Sequence, residues 1–405
     1  MALIVQKFGG SSVANAERVN NVADIVAKTY NDGNDVVVVV SAQGDTTDDL
    51  LAKAKEINPK GSKRELDQLL CAGEEISIAL LAMALQARRI PAISLLGWQA
   101  GFYASSAYTS ARIHKVDTER VRSELDKNKV VVVAGFQGIN KYDDVTTFGR
   151  GGSDTSAVAL AASLNADRCQ FWKDVRGIYT TDPRKVKGAR KLNEITYDEM
   201  LELAVLGAQV LNNRSVEMAK KYRVQLEVRS SLEPEIPGTI VKEVAKVEKM
   251  LIRGVTKDSH TARISVLRLP DEPGVAFQLF QALAAKHINV DIILQSVGRD
   301  NTKDITFTVT DTEAELAKEA VLETFENIDD SNIKIATDVT KVSIVGAGME
   351  SHPGTAARMF EALYSAGINI SMISTSEIKI SVLVKTKDAD RAVEAVHDAF
   401  FPVAK

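Results

Sequence analysis

Residues 149–156 read GRGGSDTS, between a β-branched run, VVVVA (130–134), and an alanine-rich stretch, AVALAASLNA (157–166). Glycines between a strand and a helix let backbone N–H groups close on a phosphate. The spacing is not that of a P-loop, G-x-x-x-x-G-K-[ST], and an arginine and an aspartate stand among the glycines. Outward from this loop the pattern is regular. ALIVQ (2–6), DVVVVVSA (35–42), AISLL (92–96) and CQFW (169–172) read as strands. Helical patterns separate them, one with Val19, Val22, Ala23, Val26 and Tyr30 on its apolar side and a longer one over about 64–88. An unbroken β-branched run such as DVVVVVSA suits a strand covered on both faces of a parallel sheet. Strands alternating with helices predict βαβ units, and therefore a three-layer α/β domain with a mostly parallel sheet over residues 1–245. Ligands of such sheets sit at the carboxyl ends of the strands. KFGGSS (7–12), SAQGDTT (41–47) and GFQG (135–138) fall there, together with the GRGGSD loop.

The organisation changes near residue 245, after a charged connector, VKEVAKVEKM (241–250). Beyond it Pro273, Gly274, Phe280, Leu283, Ile288, Asn289 and Ser296 recur 80 residues later as Pro353, Gly354, Phe360, Leu363, Ile368, Asn369 and Ser376. One fixed offset with this many matches marks two copies of a small unit, each reading strand, Pro-Gly turn, amphipathic helix, strand. A module of that size cannot bury its own sheet and pairs with another copy. The expected division is 246–330 and 331–405. Met250 lies just ahead of the repeats, where an internal start would release a free C-terminal half.

The 405 residues, 45% apolar and 26% charged, make an ordinary soluble composition with room for two or three cores. Fifty basic against 54 acidic residues, a net charge of −4, leave no electrostatic footprint for nucleic acid or an anionic membrane. MALIVQKFGG enters a strand pattern without a basic n-region or cleavage site, and no apolar run approaches the ~18–20 residues of a membrane span, so a cytoplasmic location is expected. Cys71 and Cys169 lack metal-ligand spacing and read as two reduced thiols rather than a disulfide. The histidines, His114, His260, His287, His352 and His397, are scattered. No Ser-His-Asp arrangement, zinc spacing or G-x-G-x-x-G fingerprint supports hydrolase, metalloenzyme or dehydrogenase chemistry, and no protein-held metal is expected.

What remains is a set of loops with backbone N–H groups and selected charges. Lys7 ends the first strand ahead of Gly9 and Gly10, although a solvated lysine before a turn is the plainer reading of those residues alone. Ser41 and Thr47 are explained as well by turn chemistry as by ligand binding. Glu74 and Glu75 interrupt an apolar helix, either as solvated-face residues, the plainer reading, or as buried carboxylates with a cationic partner. YTTDPR (179–184) by itself is a proline turn. Together, cations, anion-binding loops and an acidic residue at one sheet edge suit phosphoryl transfer, which needs positioning and charge neutralisation above all. No general base stands among the loop residues. A hydroxyl acceptor usually wants one, whereas a carboxylate arrives ionised, which favours an acyl-phosphate product.

KFGGSS, VVVVSAQGDTTDDLL, AGEEISIALLAMAL, GRGGSDTSAVALAA, GIYTTDPR and RSVEMA, in this order, resemble the bacterial aspartate kinases of the amino-acid-kinase family. The two C-terminal repeats, including ISTSEIKIS (373–381), resemble their paired ACT regulatory domains, which are α+β and ferredoxin-like. The resemblance covers essentially the whole chain. It implies transfer of the ATP γ-phosphoryl group to the side-chain carboxylate of L-aspartate, with Mg²⁺ accompanying the nucleotide. By the same resemblance Lys7 steadies the transferring phosphoryl group, with Gly9 and Gly10 making room for it. Asp154 orients the cations around the phosphates. Arg150 grips an aspartate carboxylate on the loop it shares with Gly151, Gly152 and Ser153. Glu74 takes the substrate ammonium, while Ser41 and Thr47 line the aspartate and phosphate pockets. Lys173, Asp174, Tyr179, Asp182, Pro183 and Arg184 hold the nucleotide.

The effector positions carry over to Asn289, Val290, Asp291 and Gln295 in the first repeat and to Asn369, Ile370, Thr375 and Ser376 in the second. The implied effector is an amino acid made from aspartate, lysine ahead of threonine, and the implied assembly is a homodimer or higher oligomer through the ACT units. Asn289 and Asn369 equally suit a left-handed cap closing the preceding helix. The sequence departs from the family pattern at Lys173, Arg176, Arg268 and the pair Asn212-Asn213, which puts ATP affinity and effector response in question. A related kinase of glutamate or a carbamate, or a silent amino-acid sensor on the same fold, remain the alternatives.

Overall fold

Val36 to Val40 are all buried, and the strand Asp35–Val40 that they form lies inside an eight-stranded sheet. The order across that sheet is Glu194–Thr196, Thr239–Lys242, Leu226–Ser230, Arg168–Lys173, Leu3–Phe8, Asp35–Val40, Val130–Ala134, Ala92–Leu95. Every pairing is parallel except that of Leu226–Ser230 with Thr239–Lys242. The valine runs therefore occupy central strands with both faces covered, as their lack of alternation requires. On one face Val36, Val38, Val40, Val130 and Val132 pack with Val22 and Val26 of the helix Ala16–Asn31 and with Ile78, Leu81 and Leu85 of the helix Lys63–Ala87. Burying each such side chain contributes about 1.5–3 kcal/mol. Lys63–Ala87 is the one helix among the described residues long and apolar enough to cross a bilayer, but this face of it lies in the core.

The structure, a computed structural model, describes residues 1–402 apart from 207–209, 245–251, 297–300, 347–348, 350–351 and 353. Met250, the end of the charged connector and Pro353 of the repeat lie outside the described residues. The GRGGSDTS stretch is not the continuous loop that its glycines suggest, because a helix already begins at Gly152 and runs to Leu164. Gly151 ahead of it has φ +71, which turns the chain at little steric cost, and Asp154 in the first turn favours the positive end of the helix dipole. A small second sheet, in the order Ile113–Val116, Phe102–Ala104, Gln137–Ile139, Val145–Thr147, adjoins this loop in sequence. Cys71 and Cys169 are buried and free.

The chain divides into two compact units. One holds the described residues of Met1–Tyr179, Lys191–Val205 and Gln209–Glu248; the other holds those of Thr180–Arg190, Leu206–Ala208 and Lys249–Lys405. The second unit is built on one antiparallel six-stranded sheet in the order Ile293–Gln295, Thr302–Val309, Gly254–Pro270, Ile333–Val345, Lys379–Lys385, Met372–Thr375. The repeats share it by exchanging strand halves. Residues 262–266 of the long strand Gly254–Pro270 pack in the core of the first repeat, whereas Val255 packs in the core of the second. Each repeat thereby reaches four strands and two helices, Val275–Ala285 with Ala314–Thr324 and Thr355–Ser365 with Ala389–Phe400. A cut at residue 330 separates the repeats in sequence, but the fold interleaves them.

Three local features bear on the regulatory reading. The left-handed residues after the two first helices of the repeats are His287 (φ +58) and Gly367 (φ +67), so Asn289 and Asn369 do not serve as the caps. Arg268, at a position where the family favours glycine, has φ +59 beside a bulge between Val266 and Leu269, and its N–H donates to Asp304 at 2.9 Å. The segment Thr180–Arg190 is tied into this unit: Val255 N–H donates to the Thr180 carbonyl, Thr180 Oγ1 lies 2.9 Å from Nε2 of buried His397, and Lys185 pairs with Asp390.

Candidate active site

A cavity of about 580 Å³ opens where the strands Leu3–Phe8, Asp35–Val40 and Arg168–Lys173 end, lined by Lys7, Ser41 and Lys173 among others. Its charge centre is Asp154. Lys7, next to last in its strand, places Nζ 2.5 Å from Asp154 Oδ1, and Lys173, at the end of the neighbouring strand, places Nζ 3.3 Å from Oδ2. The plain reading of Lys7 as a solvated residue is therefore wrong, since only 4% of it is exposed. Burial pulls the Lys7 ammonium below the usual lysine range, against the opposing pull of Asp154. Burial would raise the Asp154 carboxyl, but Lys7 and Lys173 outweigh it and hold it at about 2. Two cations on one carboxylate leave a net positive charge, and a buried cation in excess suits an anionic ligand.

Facing this centre in the same cavity is Glu74, on the helix Lys63–Ala87. It is buried, which overturns its reading as a solvated-face residue, and the bond it makes is to backbone rather than to a cation. Its Oε1 accepts the Ala42 N–H at 3.0 Å, while Oε2 is buried with no hydrogen-bond partner among the described residues. Burial pushes its carboxyl up to about 7, against the Ala42 N–H and Lys7. Gly73 allows this helix to approach closely, because a Cβ there would stand 2.6 Å from Ala42 Cβ. Glu75 points to a half-buried environment and does not line the cavity.

Gly9 and Gly10 line the cavity, and Gly10 carbonyl accepts the Gly44 N–H at 3.0 Å, knitting the loop after the first strand to that after the second. Thr47 lines it from the first turn of the helix Thr46–Ile57. Arg150, Gly151, Gly152 and Ser153 line it from the far side, Arg150 being exposed and without an ion pair among the described residues. Asn212 caps the helix Asn213–Tyr222 and donates from Nδ2 to the Arg150 carbonyl at 3.4 Å. A departure in sequence thus supports the loop that carries Arg150.

The expected nucleotide residues divide. Lys173 is at the cavity, whereas Asp174 and Tyr179 do not line it. Asp182, Pro183 and Arg184 belong to the segment Thr180–Arg190 of the second unit, where Arg184 makes a two-point pair with Asp182 at 3.0 Å. Arg176 is paired with Glu233 at 2.5 Å and brings no free cation to the cavity. Sequence reasoning missed Thr109 and Thr147, which also line it. Neither stands in a glycine loop or beside a charge, so nothing in the local sequence marks them. In the second unit Asp291 is paired by buried Lys341, which also lies 3.5 Å from Asp258, and Ile292 packs with Met372 in one apolar cluster. Asn289, Gln295, Asn369, Thr375 and Ser376 are exposed, and Val290 and Ile370 half-buried.

The pattern of the amino acid kinase family matches residues 2–230, and ACT domain patterns match residues 262–329 and 342–400. The chain is 50% identical over 402 residues to an aspartokinase of Bacillus sp. (strain MGA3), covering 99% of this chain and 97% of that one. Its fold is similar to that of E. coli aspartokinase III solved with aspartate and ADP in the R-state, at TM-score 0.83 and 25% identity over 98% of this chain and 100% of the other. It is also similar to the same enzyme solved with lysine and aspartate in the T-state, at TM-score 0.76 and 25% identity over 98% and 99%. With a phosphate-suited cation centre in the first unit, paired ACT repeats in the second and full-length relatives on both counts, the chain belongs to the aspartokinase family.

Proposed function

We propose that this aspartokinase uses the one cavity for both substrates, with Lys7 and Lys173 receiving the ATP phosphates and Glu74 and Arg150 receiving L-aspartate. The observation that carries this division is the pairing of Asp154 with two lysines opposite a buried carboxylate that has one oxygen free. Glu74 Oε2 suits the substrate ammonium, and the Arg150 guanidinium suits a carboxylate through its planar fork. An oxygen of the substrate side-chain carboxylate forms a bond to the γ-phosphorus as the bond to the ADP oxygen breaks, the electron pair leaving with ADP. No proton moves, so no base is required. Lys7 acts most strongly while the phosphoryl group carries its charge between the two oxygens. Gly9, Gly10, Gly151, Gly152 and Ser153 bring backbone N–H groups within reach, and Ser41 and Thr47 bring hydroxyls.

Among the described residues no group of three His, Cys, Asp or Glu side chains could hold a metal ion by itself. Asp154 offers one carboxylate, which fits Mg²⁺ brought in on phosphates, since that ion is commonly held by one or two carboxylates and the substrate. Bound there, Mg²⁺ would neutralise phosphate charge. Asp174 and Tyr179 complete the nucleotide site in this reading, residues 1–245 form the catalytic part, and 246–330 and 331–405 form the regulatory part.

The effector is an aspartate-derived amino acid, lysine ahead of threonine, held by the Asn289–Asp291 and Asn369–Ile370 turns with Gln295, Thr375 and Ser376. The chain assembles as a homodimer through the regulatory sheet, whose edge strands expose Ile293, Leu294 and Ile373. It works in the cytoplasm. Coupled measurement of ADP release tests the catalytic reading: L-aspartate with Mg·ATP gives ADP and a hydroxylamine-trappable acyl phosphate. ADP release with L-glutamate but not with L-aspartate would overturn it.

A further inference from the structure

Two side chains outside the cavity hold two of its walls together. Asp67, fully buried on the helix Lys63–Ala87, accepts the N–H of Thr109 at 2.9 Å and the N–H of Thr147 at 3.0 Å on Oδ2, and the Thr147 hydroxyl at 2.7 Å on Oδ1. Arg214, on the helix Asn213–Tyr222, donates to the Phe148 carbonyl at 3.0 Å and to the Ala111 carbonyl at 3.2 Å. An anion and a cation from distant parts of the chain thus bridge the same two segments, 109–111 and 147–148. The segments also touch directly, Ala111 N–H donating to the Thr147 carbonyl at 2.8 Å. Neither charged group lines the cavity; Asp67 is taken up by two backbone N–H groups and the Thr147 hydroxyl, and Arg214 by two backbone carbonyls.

What these bonds hold is strained. Thr109 has φ +68, a conformation that a β-branched residue adopts only under constraint, and it lines the cavity. Two residues past Phe148 stands Arg150, its carbonyl steadied by Asn212 and its side chain otherwise unheld among the described residues. Removing one side of the clamp frees a loop whose native conformation is not its preferred one. A buried carboxylate with three donors, stripped of its charge or shape, leaves those donors without partners.

We propose that Asp67 and Arg214 are positioning residues for the acceptor substrate: by clamping 109–111 to 147–148 they set Thr109 and Arg150 at the aspartate side of the cavity. The inference rests on the reading of Arg150 as the carboxylate grip. It assigns no contact with substrate to Asp67 or Arg214, and it places their effect on aspartate rather than on ATP, whose phosphates meet Lys7 and Lys173 across the cavity.

Steady-state kinetics of the full-length chain test it with Arg214→Met, Arg214→Lys and Thr147→Val. Arg214→Met raises KM for aspartate roughly 10- to 100-fold, since small displacements at a site cost that much, while KM for ATP stays within about twofold. Arg214→Lys, which still donates to one carbonyl, recovers part of the loss. Thr147→Val removes one of three bonds to Asp67 and gives a smaller rise of about threefold to tenfold at intact secondary structure. Equal rises in both KM values, or a lowered Tm with both KM values unchanged, would overturn the assignment and leave the clamp merely structural. If Arg214→Met does not fold, the lysine and valine variants decide the matter by the same split. A wild-type chain that ignores aspartate defeats the reading of the site; a wild-type chain that phosphorylates it, with variants that show no split, defeats the clamp alone.

Discussion

Replacing Glu74 by glutamine should stabilise the fold at alkaline pH and weaken aspartate binding at the same time. Burial carries this carboxyl from its ordinary 4.5 to about 7. Below pH 4.5 it is protonated in both the folded and the unfolded chain. Between 4.5 and about 7 the unfolded chain releases the proton that the folded chain keeps, so stability falls as pH rises. Above 7 the loss is complete, at about 3 kcal/mol for a shift of this size. Glu74→Gln has no such titration. Its amide oxygen keeps the Ala42 N–H, while its NH₂ group, placed where Oε2 has no partner, costs roughly 1 kcal/mol. The variant is thus expected to be less stable than wild type by about 1 kcal/mol at pH 4, about equal to it near pH 5, and more stable by about 2 kcal/mol at pH 8.5; pH 4 and pH 8.5 are the two values to compare. For a unit of this size the second figure is roughly 4–8 °C in Tm. Differential scanning calorimetry of both chains at the two pH values reads the crossing. In the same protein kcat/KM for aspartate should fall by about 10- to 100-fold, as for a lost hydrogen bond between charged groups, with KM for ATP little changed. A Tm difference of one sign and size at both pH values would show that Glu74 does not titrate there. Unchanged aspartate kinetics would remove it from the ammonium site.

Lys7→Ala should lower kcat by about 10²–10³, the loss typical of one donor to a developing charge, with a modest change in KM for aspartate; equal losses in binding and turnover contradict its role in transfer. Arg268→Gly relieves a left-handed arginine and should stabilise the regulatory unit by up to about 1 kcal/mol after the entropy of glycine in the unfolded chain is counted, readable as a raised Tm. Thermal-shift titration with lysine and with threonine should raise Tm more for lysine, because selective binding stabilises the folded chain by mass action; a response to threonine alone reverses the order.

The parallel sheet, the strand ends that carry the glycine loops and the duplication of the C-terminal module are all legible along the chain, because they depend on short-range pattern. Valine runs without alternation require cover on both faces, and a fixed offset of 80 residues requires two copies of one unit. Lys7, Glu74, Arg150 and Asp154 stand out through the motifs that contain them. Whether those side chains are solvated or buried is a different matter. Lys7 and Glu74 each read more simply as exposed, and only the packing of helices Gly152–Leu164 and Lys63–Ala87 against the sheet ends removes their water and brings Lys173 onto Asp154. Thr109, Asp67 and Arg214 carry no local signal at all, since their meaning lies in bonds between segments 42 to 103 residues apart. The exchange of strand halves between the repeats is equally silent, because residues 254–258 and 262–266 form one continuous strand and differ only in which core each half enters. Local pattern specifies the elements and their motifs. Burial, charge pairing and exchange are properties of neighbours in space, and the chain decides them only when it folds.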